Sequence, residues 1–193
     1  WHIREETAFT EVWNARQAGQ PMSATGGEKA AVILKVLIND EWLRYRLPKA
    51  SRAFDQTSYT EWMRIRSVET ERALMDVHGM FYEIGYHTYS GGLWAISPIS
   101  RHLRVIPDFA SWRGMLVLAG NQATPMQFAT GNLDRDPFAG QPQAGLWFGK
   151  TDDLWSWGKP AGSGGVWYDS QVEASEYSDP FLMSGFDKKS VHM

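Results

Sequence analysis

The 193 residues are enough for one domain with a sizeable hydrophobic core. A formal net charge of −3 excludes the basic footprint of a nucleic-acid-binding protein, and the lack of cysteine excludes disulfides, thiolate zinc sites and cysteine nucleophiles. No apolar run reaches the length of about 18 residues that a membrane span requires. Ten tryptophans, seven tyrosines and nine phenylalanines favour a β-rich chain, because strands accommodate aromatic side chains well.

The two ends of the sequence suggest a piece of a longer protein. The chain begins with Trp1 rather than methionine, residues 1–6 lack the apolar core of a signal peptide, and residues 189–193 follow a predicted strand. We therefore expect residues 1–193 to form a single β domain that is a fragment of a longer chain. A chain without cysteine fits the cytoplasm and also bacterial export. The compartment stays open, with an exported protein slightly favoured.

The first element in the chain is ambiguous, and the second is clear. Residues 7–18 fit a short helix or a strand equally well, and the Gly-Gln-Pro sequence that follows would end a helix. In residues 30–47 an apolar run meets Asn39-Asp40 and then an alternating run. Asparagine and aspartate tolerate the positive φ of two-residue turns, so this segment predicts a β-hairpin.

Similar apolar runs around turn residues recur along the chain. Their turns fall near positions 40, 77, 110, 152 and 187, and residues 121–144 between two of them predict a long surface loop. The spacing is close to the repeat of propeller blades, which is roughly 40 to 50 residues. The predicted fold class is all-β: a β-propeller, or part of one, built from antiparallel hairpin blades. The alternative is a β-sandwich, since hairpins at this spacing serve both.

Histidine, aspartate and arginine fall together in the middle of the sequence. Asp76 precedes His78 by two positions, so both side chains share a face if the segment is extended, and His102 lies between two arginines, shortly before Asp108. Histidine is easily poised for proton transfer near neutral pH, and arginine binds carboxylates. This group would suit acid–base catalysis on a sugar or binding of an anionic sugar. The alternative, favoured for either histidine alone, is a hydrogen-bonded core or loop histidine.

Arg64 and Arg66 alternate with apolar residues and are expected to share one strand face. Two convergent guanidinium groups could bind a carboxylate or phosphate of a ligand. They could also pair internally with Glu61, Glu69 or Glu71, which lie close in sequence. Internal pairing is the favoured interpretation.

The stretch GLWFGKTDDLWSWGKPAGSGGVW, residues 145–167, places four tryptophans around Asp152 and Asp153. Indoles stack on sugar rings, but they also fill the cores of β-sheets. We predict that Thr151-Asp152-Asp153 caps a hairpin and that at least two of the four indoles are largely buried between sheets. An indole that stays exposed beside the turn would be the one to contact a sugar.

Four motifs carry a family resemblance: YRLPKA at residues 45–50, MDVHGMFYE at 75–83, IPDFASWRG at 106–114 and GKTDDLW at 149–155. They resemble a bacterial family of propeller-type proteins, whose architecture is similar to that of sugar-active propellers of the sialidase and arabinanase kind. The resemblance implies a propeller and a sugar-related activity, but it assigns no catalytic residue. The sialidase Asp-box S-x-D-x-G-x-x-W is absent, and residues 151–155 resemble only part of it.

The sequence therefore predicts a carbohydrate-active β-propeller that is glycoside hydrolase-like, or a non-catalytic propeller module that binds a glycan or a protein. The expected partner is a carbohydrate or another small molecule. No motif for a metal or a cofactor is present, so neither is predicted, and the oligomeric state stays open. The candidate catalytic residues are Asp76, His78, Asp108, Asp152 and Asp153, and the candidate substrate-binding residues are Arg101, His102, Arg104, Trp112, Arg113 and Trp155.

Overall fold

The computed structural model describes residues 2–3, 12–13, 22–25, 30–38, 40–51, 64–68, 72–85, 95–102, 104, 106, 108–120, 145–167 and 171–192. Within these ranges the chain forms three small β-sheets and a short 3-10 helix, so the prediction of an all-β fold is confirmed. The predicted loop over residues 121–144 lies outside the described residues. So does most of the segment 7–18, of which Val12–Trp13 is a strand.

The first sheet has the strand order β2-β1-β3-β4-β5, in which β1 and β3 are parallel and the other neighbours are antiparallel. The longest strand pair in this sheet is the predicted hairpin of β4 and β5, which turns at Asp40 with a φ of 63°. The strands are β1 (His2–Ile3), β2 (Val12–Trp13), β3 (Met22–Thr25), β4 (Val32–Ile38) and β5 (Glu41–Leu47).

The second sheet is an antiparallel meander in which each strand pairs with the next along the chain. The central hairpin turns at His78 and Gly79, whose φ angles of 47° and 74° are both positive, as a type I′ turn requires. Glycine adopts this conformation without a steric penalty, and histidine is among the residues that tolerate it. The strands are β6 (Arg64–Ser67), β7 (Arg72–Val77), β8 (Met80–Gly85) and β9 (Ile96–Arg101).

The third sheet is also antiparallel, with the order β10-β11-β12. Its first hairpin turns at Arg113 and Gly114, again with positive φ angles, 51° and 76°. The predicted turns near positions 40, 77 and 110 are therefore all present as two-residue hairpin turns. The strands are β10 (Phe109–Trp112), β11 (Met115–Gly120) and β12 (Gly145–Gly149).

The second sheet is covered on both faces, because the alternation of β7 divides its side chains between two hydrophobic cores. Ala73, Met75 and Val77 point into the first core, which lies between the first and second sheets. Leu74 points into the second core, which lies between the second and third sheets and is shared with Phe81. The three sheets are thus stacked face to face in chain order.

The predicted hairpin at residues 151–153 is wrong, since a 3-10 helix (Thr151–Ser156) follows β12. The Oδ2 of Asp153 accepts a hydrogen bond of 2.8 Å from the backbone N–H of Lys150, and this contact closes a helical turn instead of a hairpin. Leu154 of this short helix is buried in the second core.

The C-terminal segment, as described over residues 158–167 and 171–192, has no regular strand, so the hairpin expected near residue 187 is also wrong. The segment instead runs back along the first sheet. Single bridges join Ser163 to Lys49 and Phe181 to Arg46, whose Nε also donates to Oδ2 of Asp179 over 3.1 Å. Leu182 and Phe186 pack against the edge of the first core. The backbone of this segment thus hydrogen-bonds to Arg46 and Lys49 of the first sheet and its end.

Candidate functional site

A buried histidine–aspartate pair lies at the end of the second sheet. The Nε2 of His102 is 2.8 Å from Oδ1 of Asp76, and both side chains are buried. The backbone N–H of Arg104 donates to Nδ1 of His102 over 3.2 Å. Because a backbone N–H can only donate, Nδ1 must be the unprotonated nitrogen, so Nε2 carries the proton and donates it to Asp76. The geometry therefore fixes His102 as a neutral imidazole in one tautomer.

The turn between β7 and β8 holds this pair in place. The carbonyl of Gly79 accepts a 2.7 Å hydrogen bond from the backbone N–H of His102, and the ring of Phe81 lies 4.8 Å from the imidazole. His78 itself is buried in the turn, and its carbonyl accepts from the backbone N–H of Ser51 over 3.0 Å. The contact of the turn with the pair is thus made by the backbone of Gly79, while the carbonyl of His78 bonds to Ser51.

Asp108 is held between two arginines of the second sheet. Its Oδ1 lies 3.5 Å from Nε of Arg64 and 3.2 Å from Nη2 of Arg66. The favoured expectation of internal pairing is therefore correct for these arginines, but the carboxylate is that of Asp108. The glutamates suggested from the sequence lie outside the described residues. The Asp108 side chain remains 51% exposed, so the ion-paired carboxylate is still open to solvent.

Arg64 connects the two aspartates. It is paired in register with Asp76 on the neighbouring strand while its guanidinium contacts Asp108. Burial is the main reason that the pKa of Arg64 lies below its ordinary value. The negative charge of Asp108 raises this pKa, the positive charge of Arg66 lowers it, and the negative charge of Asp76 raises it. Arginine nevertheless stays protonated in proteins.

We call Arg64, Arg66, Asp76, His102 and Asp108 the arginine–aspartate cluster. Because His102 is neutral, the two positive charges of the cluster balance its two carboxylates.

Aromatic side chains flank the cluster. Trp157 packs edge-on against Phe81 and Trp147, with ring centroids 6.1 and 5.3 Å apart, and the guanidinium of Arg104 lies 5.9 Å from the Trp157 ring centre. The segment after the short helix is tied to β9, because the carbonyl of Gly158 accepts from the backbone N–H of Arg101. The cluster therefore has buried charged groups, and aromatic rings lie next to it with the guanidinium of Arg104 near the ring of Trp157.

The four indoles of residues 145–167 divide into two pairs. Trp147 and Trp157 pack against the second core and are partly buried, whereas Trp155 and Trp167 are about half exposed. Two of the four indoles thus pack on a core as predicted, but both keep part of their surface exposed. Trp155 follows Asp152 and Asp153 on the short helix, within two residues of Trp157.

The structure separates some of the residues that the sequence proposed for one site. Asp152 and Asp153 are exposed in the first turn of the short helix, where Asp153 caps the backbone of Lys150. Trp112 lies on the face of the third sheet that points away from the second core, and the guanidinium of Arg113 lies over its ring at 4.8 Å. Those that converge are Asp76, His102, Arg104 and Asp108, with Arg101 exposed at the end of β9.

Sequence reasoning missed the role of Phe81 and the pairing of Asp108 with Arg64 and Arg66. The alternation of the two arginines indicated a shared face, but their partner is 42 residues from Arg66 in the chain. Only the packing of β10 against β6 brings these residues together, and no local pattern encodes that packing.

In the part of the chain that the structure describes, no group of three or more histidine, aspartate or glutamate side chains could hold a metal ion. The described helix is too short to span a membrane. Comparison with family models, with curated proteins and with solved structures gives no match to this chain.

Proposed function

We propose that the chain is part of a carbohydrate-active β-propeller. Propeller blades are small antiparallel sheets whose four strands follow one another, which is the order of the second sheet. Successive blades pack face to face, as the three sheets do through the two cores. A sandwich of two sheets has one core between them, so a middle sheet with a core on each face favours the propeller.

The proposed activity is recognition of a sugar at the arginine–aspartate cluster. The observation that carries it is the half-exposed carboxylate of Asp108 between Arg64 and Arg66. A carboxylate accepts hydrogen bonds from sugar hydroxyls and guanidinium groups donate them, so the three side chains together can bind neighbouring hydroxyls. Trp155 on the short helix offers an exposed indole for a sugar ring.

Binding fits this geometry better than hydrolysis. Glycoside hydrolysis ordinarily uses two carboxyl groups on either side of the scissile bond. Asp76 is buried, and both ring nitrogens of His102 are occupied by hydrogen bonds. Within the described cluster, Asp108 is left as the one carboxylate that a substrate can reach.

A glycoside hydrolase-like enzyme is the second candidate, favoured by the solvent accessibility of Asp108. A carboxylate whose charge is balanced by two guanidinium groups suits a nucleophile or base more than an acid. This candidate needs a second carboxyl group from elsewhere in the protein. In it, Asp76 and His102 would position Arg64 and would not touch the substrate.

A glycan array followed by calorimetric titration of the tightest-bound oligosaccharide tests the proposal. Asp108→Asn keeps the shape of the side chain but removes its charge, and we expect it to weaken binding at least about tenfold. Asp152→Asn is the matched control on the short helix and should bind as the original chain does. Absence of any bound glycan, or equal affinity for Asp108→Asn, would refute sugar binding here. Product detected by mass spectrometry and lost in Asp108→Asn would favour the hydrolase-like candidate.

A further inference from the structure

The two hydrogen bonds of the His102 ring respond in opposite ways to a second proton. Nε2 donates to Oδ1 of Asp76 over 2.8 Å, and Nδ1 accepts from the backbone N–H of Arg104 over 3.2 Å. In the imidazolium both ring nitrogens are donors. The second proton therefore has to bind at Nδ1, where it meets the N–H of Arg104. The hydrogen bond on that side of the ring becomes a contact between two donors.

The contact with Asp76 gains from the same proton. The carboxylate of Asp76 is fully buried, and the ring of Phe81 lies 4.8 Å from the imidazole. A positive charge on the imidazole turns the hydrogen bond to Oδ1 into a charge-assisted one, which is the stronger kind. The ring therefore stays on Asp76, and the change falls on Arg104.

The elements packed around His102 carry charges of both signs. They are Arg64 and Arg66 of β6, Asp76 of β7, His78 of the turn, Asp108 before β10, and Arg101 and Arg104 on either side of His102 in the chain. Arg72 and Glu83 pair with each other away from this end of the second sheet, and Asp152 and Asp153 are exposed on the short helix. Asp108 is paired with two arginines, so Asp76 is the described carboxylate in direct contact with the ring.

Arg104 lies between two anchored positions and can move without them. The backbone N–H of His102 donates to the carbonyl of Gly79 over 2.7 Å, and Ile106 is buried in the second core. Arg104 itself is exposed, so its N–H can bond to water in place of His102. Its guanidinium lies 5.9 Å from the centre of the Trp157 ring, within the range of a cation–π contact. Rotation of the Arg104 backbone would end that contact.

We propose that His102 is a pH-sensitive switch that controls Arg104. At neutral pH, Nδ1 holds the backbone of Arg104 and the guanidinium lies over Trp157. Histidine ordinarily changes its charge between about pH 5 and 8. Acidic pH therefore adds a proton to Nδ1, releases the Arg104 N–H and withdraws the guanidinium from the ring. The proposal does not depend on sugar binding, because every contact in it is made within the chain.

Amide hydrogen exchange, measured by NMR at about pH 7.5 and about pH 5, tests the switch. We expect the protection factor of the Arg104 amide, corrected for intrinsic exchange, to fall at least about tenfold at the lower pH. The amide of His102, bonded to Gly79, is the internal control and should keep its protection. The Nδ1 signal of His102 should report the added proton, and the indole signal of Trp157 should shift with the same midpoint.

His102→Gln is the matched variant that does not titrate. Its carboxamide can donate to Asp76 and accept from Arg104, so the Arg104 amide should be equally protected at both pH values. The same loss of protection in His102→Gln would overturn the proposal. Three results in the original chain would also overturn it, whether or not the variant folds. They are a constant protection of Arg104 while Nδ1 gains a proton, a ring that gains no proton by about pH 5, and a joint loss of protection at His102 and Arg104.

Discussion

The two faces of the second sheet are built on the same strands, yet they carry different chemistry. The first core is apolar along β7, with Ala73, Met75 and Val77 in succession. On the opposite face Leu74 is followed by Asp76, a fully buried carboxylate. A buried charge lowers stability unless it has partners. His102 donates a hydrogen bond to Oδ1 of Asp76 and the charge of Arg64 acts on the carboxylate, while Oδ2 of Asp76 is buried without a hydrogen-bond partner. The first core is therefore stabilised by apolar burial along β7, while the end of the second core adds charged groups that an apolar core does not require.

Removal of the buried carboxylate is expected to have the largest effect. Asp76→Ala would leave His102 without its acceptor and the two arginines of the cluster with one carboxylate, that of Asp108, so we expect the free energy of unfolding to fall by about 3–5 kcal/mol. Met75→Ala, the neighbour that faces the first core, should cost about 2–5 kcal/mol through the cavity it creates. Urea denaturation measures both changes. Equal stability of Asp76→Ala and the original chain would contradict the balance of charge described for the cluster.

Gly185 tests how the C-terminal segment closes the first core. Its φ of 80° disfavours other residues, and a Cβ there would come within 2.5 Å of Cδ of Pro98 in β9. We expect Gly185→Ala to lower the free energy of unfolding by about 2–4 kcal/mol, from backbone strain and overpacking together. Gly145→Ala is the matched control, because no atom lies within 4 Å of the added Cβ. Equal melting temperatures for the two variants would show that the segment is not seated against β9.

Tyr82 gives the first core a pH dependence. Its hydroxyl donates a 2.6 Å hydrogen bond to the carbonyl of Pro48, and burial raises the pKa of Tyr82 above its ordinary value. As the pH rises above about 10, the unfolded chain releases the phenolic proton while the folded chain retains it, so stability falls by up to about 1.4 kcal/mol per pH unit. Tyr82→Phe should remove this contribution at alkaline pH.

The same substitution should cost about 1–3 kcal/mol at neutral pH, because the Pro48 carbonyl loses its partner. Denaturation curves of the two proteins between pH 7 and 11 check both effects. If the stability difference between Tyr82→Phe and the original chain stayed constant over that range, the buried neutral phenol would be disproved.

The last prediction concerns the tautomer of His102 and involves no change in stability. The contacts with Asp76 and the backbone of Arg104 predict a protonated Nε2 and an unprotonated Nδ1 at neutral pH. Long-range proton–nitrogen NMR spectra separate the two ring nitrogens, and His102→Gln serves to assign the signals. A protonated Nδ1 would place His102 in another hydrogen-bond arrangement and would remove the reason for treating it as a positioning residue.

Local chemistry explains which parts of the fold the sequence could predict. The hairpins at Asp40, at His78-Gly79 and at Arg113-Gly114 follow from two-residue turns between apolar runs. The same reasoning failed at residues 151–153, because an acidic residue in a turn can cap either a hairpin or a helical turn. Asp153 binds the backbone of Lys150, which produces the helical turn. Turn composition alone does not distinguish the two.

The candidate site was predictable in its residue types and not in its pairings. Asp76, His102 and Asp108 stood out because carboxylates and histidines are uncommon between apolar runs. Their partners depend on strand register and on the packing of one sheet against another, which bring Arg64 between two aspartates that are far apart in sequence. The separation of Trp112 from the cluster likewise depends on which face of the third sheet it occupies.

One measurement tests the comparison between the two faces most directly. It is the affinity of two arginine variants for the oligosaccharide that binds tightest on the glycan array. Arg66→Met removes a guanidinium beside Asp108, and Arg44→Met removes a guanidinium of the first sheet that pairs with Asp179 of the C-terminal segment. Titration calorimetry should show an affinity at least about tenfold weaker for Arg66→Met and unchanged for Arg44→Met. Equal affinities for the two variants would contradict the assignment of sugar binding to the charged end of the second core.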